Sequence, residues 1–379
     1  MHRQLCVLVL AVVVVSATYS QPQNLNRINI PDVAGYLTLK CDLHVHTVFS
    51  DGDVWPTFRV QEATVEGLDA IAITDHVEYQ PKGEFVSKDR NASYRIAQQI
   101  AADAGLIVIP GAEITRSMPP GHLNAIFVKD ANALAKENWK DAVDEAAKQG
   151  AVIFWNHPGW TGQQPDGVSR WYDEQTYLYE KGLLAGIEVV NSVEYYPTVL
   201  TWCLEKKCAI LGNSDTHAPI EFEYRAYPDR PRPMTLVFAK ERSAAAIKEA
   251  ILARRTAVKR GGELIGEDQW LRQIFENSIS FSTKAVSVQG RDRVLLRVTN
   301  SSDITYALVL AAPDTNIQFP REFKIEAGKT AMVSIRPRKD SLTLSGPLTV
   351  NYEVTNMHVG AGKNLIYPLT MHMDVKPKQ

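Results

Sequence analysis

The chain has 379 residues, 45 % of them hydrophobic and 22 % charged, which is ample for one large core and a second, smaller one. A formal net charge of −2 and an isoelectric point near 6.5 exclude a nucleic-acid or anionic-membrane binder held by bulk charge. Four cysteines over this length exclude a disulfide-built scaffold.

The first residues, "MHRQLCVLVLAVVVVSATYSQPQ", have a short basic start, an apolar run of roughly a dozen residues and then small and polar ones. That layout predicts a signal peptide over residues 1–20, the run being short of the roughly twenty residues of a membrane span. Export to the periplasm or beyond follows, with no transmembrane span in the mature chain. Cys41, Cys203 and Cys208 remain after cleavage. Three cysteines cannot all pair within one chain, and they are expected as free, buried thiols.

From about Leu37 to Arg260 short apolar runs alternate with amphipathic stretches. "LTLKCDLHV" reads as a strand, and "PTFRVQEATVEG" as a helix opened by proline and closed on Gly67. "DAIAITDH" is a strand, and "SYRIAQQIAADAG" a helix. "LIVIPGAEI" and "HLNAIFV" are β-rich, "WKDAVDEAAKQG" is a helix, and "AVIFWNHPG", "LLAGIEVVNS", "CAILGNSDTH" and "MTLVFAKE" are further strands. Strands alternating with helices at this spacing predict a mostly parallel sheet, and their number favours a closed barrel. The fold class is therefore α/β over residues 21–275. Residues 276–379 lose the helical period and alternate as strands with polar turns, which predicts a small all-β sandwich.

The chemistry-bearing residues gather at strand ends. His44, His46 and Asp51 follow the first strand, and residues two apart on a strand share a face. His76 ends "AIAITDH", Glu113 ends "LIVIPGAE" and His122 opens the next strand. His157 follows "AVIFWNH", and Asp215 with His217 closes "AILGNSDTH". The strand ends of a parallel barrel converge on one face, where active sites are built. Six of the 9 histidines are in this set; His2, His358 and His372 lie outside it. So many imidazoles and carboxylates exceed one tetrahedral site and suit two or three divalent metal ions sharing a bridging carboxylate. Nitrogen plus carboxylate ligands suit Zn, Mn or Fe alike.

A metal-bound water has its pKa lowered toward neutrality, so no protein nucleophile is needed, and no GxSxG or reactive-cysteine signature is present. Hydrolysis of a small-molecule phosphate ester is the natural use. Arg116, three residues after Glu113, is a candidate for pairing with phosphate oxygens. Arg225, Arg230 and Arg232 lie in the loop after His217. Asp75 is a candidate proton carrier for the leaving group, whereas Asp42, Asn156 and Asn213 adjoin ligands and suit a supporting role. Trp160, just after the His157 loop, could wall a substrate pocket.

In order and spacing, "DLHVHTVFSDG", "ITDH", "GAE", "GHLNAIF", "NHP" and "SDTH" resemble the motifs of the PHP (polymerase and histidinol phosphatase) superfamily, over residues 37–260. The resemblance implies a distorted (β/α)7 barrel binding two or three metals. It implies one metal held by His44, His46, Glu113 and Asp215, and a second by Asp51, His76 and His217. Glu113 would bridge to a third, held also by His122 and His157. "RPMTLVFAKERSAAAIKEAILARRTAV" and the β tail further resemble exported members of the superfamily, a branch that includes bacterial phosphodiesterases. A phosphodiesterase is thus expected, with a phosphomonoesterase of the same family as the alternative.

Two other classes share part of this pattern. An amidohydrolase also opens with HxH on a barrel strand but bridges its metals with a lysine, and Glu113 takes that place here. A binding protein on an inactive barrel would lack some ligands, and this chain has the full set. The β domain would pack on the barrel or support a homo-oligomer.

Overall fold

The computed structural model describes residues 28–378, so the signal-peptide reading concerns residues outside those described. Strands β1 (Leu37–Val45), β2 (Ala70–Ile73) and β3 (Ile107–Ile114) pair in parallel. Two helices make the crossovers. α1 (Pro56–Val65) carries proline in its first turn, where no intrahelical N–H is lost. α2 (Ala92–Ala104) stops at Gly105, whose φ of 65° costs a glycine little.

The ring then departs from a parallel barrel. β4 (Leu123–Ile126) runs antiparallel to both β3 and β5 (Val152–Trp155). Helix α3 (Trp139–Lys148), capped by the Asn138 side chain accepting from Lys140 N at 3.0 Å, precedes β5. After α4 (Asp173–Glu180), β6 (Leu184–Asn191) returns parallel to β5, and the short β7 (Glu194–Tyr195) folds back on it. α5 (Pro197–Lys206) leads to β8 (Ala209–Asn213), parallel to β6. The ends of β8 and β1 close the ring: Asp215 N donates to His44 O at 2.9 Å and His46 N to Thr216 O at 3.0 Å. Seven strands, β1 to β6 and β8, complete the expected (β/α)7 barrel.

The stretch "MTLVFAKE" is a strand, but it stands outside that ring. After α6 (Ile220–Tyr224), β9 (Met234–Ala239) pairs antiparallel with β1. α7 (Ala244–Leu252) follows, and β10 (Thr256–Arg260) and β11 (Glu263–Gly266) extend the sheet from β9. α8 (Asp268–Ser278) then packs against the sheet and into the final domain.

The remaining chain is all β: β12 (Ile279–Phe281), β13 (Ala285–Gln289), β14 (Val294–Asn300), β15 (Tyr306–Leu310), β16 (Ile317–Gln318), β17 (Glu322–Ile325), β18 (Thr330–Pro337), β19 (Leu344–Gly360) and β20 (Lys363–Lys376). One face is the sheet β12–β14–β18–β16, and the other is built on the β19–β20 hairpin with β13, β15 and β17. β19 also pairs in parallel with β11, so one sheet runs from barrel to sandwich. A single apolar core follows it, from Val60 and Ile71 through Leu271 and Phe275 to Leu296 and Tyr352. Cys41, Cys203 and Cys208 are free and buried, as expected.

Candidate metal centre

His44 and His46 lie at the end of β1 and are fully buried. A carboxylate can only accept, so His44 Nδ1 donates to Glu188 Oε1 at 3.0 Å. Ser50 Oγ spends its proton on Asp75 Oδ1 at 2.7 Å and accepts from His46 Nδ1 at 3.3 Å. Both Nε2 atoms are thereby left to face each other, 3.1 Å apart. Two lone pairs at that distance repel unless a proton or a metal cation stands between them. Asp215 Oδ1 completes this corner at 3.1 Å from His44 Nε2 and 3.0 Å from His46 Nε2.

Glu113, on β3 and fully buried, is the hub. Oε1 lies 3.0 Å from His122 Nδ1, 3.6 Å from His44 Nε2 and 3.7 Å from His157 Nε2; Oε2 lies 2.7 Å from His76 Nδ1 and 3.4 Å from His46 Nε2. Five imidazoles thus face one carboxylate. His122 joins them from the start of its strand because β4 is antiparallel, which turns its first residue toward the C-terminal ends of its neighbours. His157 and Asp215 enter from left-handed backbone, at φ 28° and 54°, in the turns that follow β5 and β8.

Three groups bring ligand atoms within metal-sharing distance: His44, His46 and Glu113; His46, Asp51, His76 and His217; and His76, Glu113 and His122. The first two contain the implied first and second sets, apart from Asp215, which touches the first through its Oδ1. The third takes His76 where the resemblance implied His157, whose Nε2 lies between Glu113 and Asp215, 3.7 and 3.8 Å away. Asp51 Oδ1, Glu113 Oε2 and His157 Nδ1 are buried yet make no well-aligned hydrogen bond, although Oε2 stands 2.7 Å from His76 Nδ1 and Asp51 Oδ1 3.3 Å from His217 Nε2. Buried polar atoms without one are rare, and here they surround the convergent imidazoles. The donor set therefore fits divalent metal ions.

A crystal structure from Bacteroides vulgatus, a two-domain protein containing a predicted PHP-like metal-dependent phosphoesterase, is 44 % identical, matching 92 % of this chain and 99 % of that one with a TM-score of 0.87. The chain belongs to the PHP family. The PHP domain model itself matches residues 42–129, and an Ig-like domain model matches residues 279–370. An uncharacterized protein of Methanocaldococcus jannaschii is 38 % identical over 192 residues, covering 48 % of this chain and 83 % of that one.

Seven of the candidate ligands (Asp51, His76, Glu113, His122, His157, Asp215 and His217) line a cavity of about 340 Å³, walled also by Trp160, Asn191, Ser192, Val193 and Glu194. Trp160 is 41 % exposed, with its ring 5.2 Å from that of His157 and 5.8 Å from that of His122. Charge in the site is strongly coupled. Burial alone would depress His76, but Glu113 and Asp51 outweigh it and push it up to about 10. His217 rises to about 9 against its burial through Asp51 and Asp215. Burial, reinforced by the charges of His217 and His76, holds His46 down to about 4. Imidazoles bind a cation only when unprotonated, so metal affinity at this cluster should fall as the pH drops.

The residues singled out beside the candidate ligands take varied places. Arg116 turns away from the cavity, pairing with Glu78 and donating to Lys136 O at 2.7 Å. Asp75 accepts from Thr47 N, Thr47 Oγ1 and Ser50 Oγ at 2.7, 2.8 and 2.7 Å, so its carboxylate pins the HxH turn rather than reaching a leaving group. Arg232 is buried against Asp42 and Glu66, at 2.7 and 2.6 Å. Asp42 in turn accepts from Ser214 N and Oγ and so ties β8 to β1. Asn156 donates to Glu113 Oε1 at 2.7 Å and Asn213 to Glu188 Oε1 at 2.9 Å, both in supporting roles.

Glu188, within β6, escaped the sequence reading. It is fully buried and accepts from His44 Nδ1, Asn213 Nδ2, His157 N and Asn191 Nδ2. It sets the His44 tautomer and seats the His157 turn. Glu188→Gln replaces one accepting oxygen with a donor and removes the charge. A fall of about 10- to 100-fold in Mn affinity, measured by calorimetric titration of metal-stripped protein, is expected. Unchanged affinity would remove Glu188 from the metal centre.

Proposed function

We propose that this PHP protein is an exported metal-dependent phosphoesterase that prefers phosphodiesters. The observation that carries the reading is the cavity floor, where imidazole nitrogens and carboxylate oxygens converge; no cysteine lines it, and its one serine, Ser192, belongs to the wall built by the β6–β7 turn. His44, His46, Glu113 and Asp215 would hold one ion; Asp51, His76 and His217 a second; and Glu113, His122 and His157 a third. Mn, Zn and Fe all suit these donors. When bound, such ions supply Lewis acidity toward phosphoryl oxygens and lower the pKa of a water nucleophile.

The chain's own residues orient this chemistry. Glu188 and Ser50 fix the two HxH tautomers so that both Nε2 atoms face Glu113 and Asp215, beneath the cavity. The His217 Nδ1–H donates to Asp215 O at 2.7 Å, which aims its Nε2 at Asp51. Trp160 and the β6–β7 turn would narrow access and exclude bulk water from the reacting phosphorus. No lysine lines the cavity, which weighs against an amidohydrolase. Export rests on the N-terminal pattern alone. No helix among the described residues is long and apolar enough to cross a membrane.

The test compares bis(p-nitrophenyl) phosphate with p-nitrophenyl phosphate, using metal-replete protein supplied with Mn or Zn and His76→Ala as control. Faster turnover of the diester, lost in the control, is expected. Turnover of the monoester alone would make it a phosphatase, and full activity of His76→Ala would overturn the site.

A further inference from the structure

A second cavity, of about 450 Å³, adjoins the first and shares the ridge Val193–Glu194 with it. That ridge is the turn between β6 and β7, and Ser192 at φ 52° reverses the chain there. The ridge is braced from behind. Arg260 Nη2 donates to Val193 O at 3.1 Å, and the Tyr195 ring stacks on His358 of β19 with centroids 6.0 Å apart. On the opposite wall Gly159 leaves its backbone bare; a Cβ there would stand 2.8 Å from the Tyr196 ring and 2.9 Å from Gly167 O. Because Gly159 directly precedes Trp160, one loop lines both chambers.

The second chamber carries two guanidinium groups, Arg230 and Arg260. Arg260 donates from Nη1 to Glu263 at 2.7 Å, but its buried Nε meets no acceptor. Arg230 is exposed and enters no ion pair among the described residues. The one carboxylate on the wall, Glu194, is capped by the Tyr196 hydroxyl. An unpaired guanidinium and an orphaned N–H on one wall are short of an oxyanion, which is the ligand that planar donors recognise best.

We propose that this chamber binds the substituent of the phosphoester that does not leave, and that it selects substituents ending in an oxyanion. The inference rests on the phosphoesterase reading above. A monoester needs only the first chamber. A diester centred over the metal ligands would carry its second arm across the Val193–Glu194 ridge toward Arg230.

Two chromogenic diesters separate charge from shape, because nitro and carboxylate groups are nearly isosteric. With full-length, metal-loaded protein, KM for p-nitrophenyl 4-carboxyphenyl phosphate is expected to be about tenfold below that for bis(p-nitrophenyl) phosphate. Arg230→Gln should erase that preference, raising KM for the carboxylate ester about tenfold more than for the dinitro ester, and Arg230→Lys should restore part of it. Arg260→Lys tests the second guanidinium while keeping a donor for Val193 O. Equal KM values for the two esters in the unaltered protein, or equal effects of Arg230→Gln on both, would overturn the chamber. Should neither ester be hydrolysed, the phosphoesterase reading fails by itself, and calorimetric binding of the carboxylate ester still decides. A Kd weakened by Arg230→Gln keeps the chamber, and an unchanged Kd rejects it.

Discussion

Glu113→Gln is expected to remove at least one bound metal ion per chain and to lower kcat/KM for phosphate ester hydrolysis by about a thousandfold or more. The carboxylate faces the nitrogens of His44, His46, His76, His122 and His157, so no other side chain offers its charge to as many ligands. An amide keeps the shape but not the charge, and its NH2 would point a donor at imidazoles that need an acceptor. Losing several kcal/mol of charge stabilisation corresponds to roughly three decades in rate. Elemental analysis of the purified variant, beside its rate, checks both halves. Unaltered metal content with unaltered rate would show that Glu113 bridges nothing.

The second large effect is on the fold around the same site. Arg59 of α1 is fully buried, and all its donors are used: His46 O at 2.8 Å, Thr216 O at 3.1 Å, His217 O at 2.7 Å, Ala218 O at 2.9 Å and Glu62 Oε2 at 2.8 Å. One side chain thus joins the loop after β1 to the loop after β8, and both loops carry ligands. Arg59→Met fills the volume but removes all five bonds: His46 O and Glu62 Oε2 lose their Arg59 donor, and Thr216 O, His217 O and Ala218 O each fall back on one remaining donor (His46 N, Asp53 N and Thr216 Oγ1). A loss of about 3–5 kcal/mol in denaturant unfolding of the metal-loaded protein is expected, with weaker metal retention on dialysis. A loss below about 1 kcal/mol, the scale of an exposed ion pair, would mean the two loops hold their places without it.

The cluster of candidate ligands was legible because metal chemistry demands particular residue types, and because a barrel delivers strand ends to one face. His44, His46, Asp51, His76, Glu113, His122, His157, Asp215 and His217 all meet around one cavity or directly beneath it. What supports them was harder to read. Glu188 stands alone in the apolar run "LLAGIEVVN", and only the ring's closure shows that it faces His44. Arg59 looks like any helix-surface arginine until β8 is brought beside β1. Arg116 is near Glu113 in sequence, yet the nearby Glu78 captures it. Strand direction was hidden as well. Nothing in "HLNAIFV" says that β4 runs against its neighbours, and the alternation that predicts a barrel counts β9 as readily as β8.

The shared sheet has a consequence for how the molecule holds together. β11 offers one edge to β10 and the other to β19, with Leu264 opposite Met357 and Ile265 opposite His358. Were the chain cut after α8, that second edge would become a row of unpaired backbone donors and acceptors beside freshly bared apolar side chains, an invitation to join another copy edge to edge. The Ig-like portion therefore acts as a permanent cover strand for the barrel. Heating or denaturant should melt the two together in one cooperative step, since neither can leave without exposing the other.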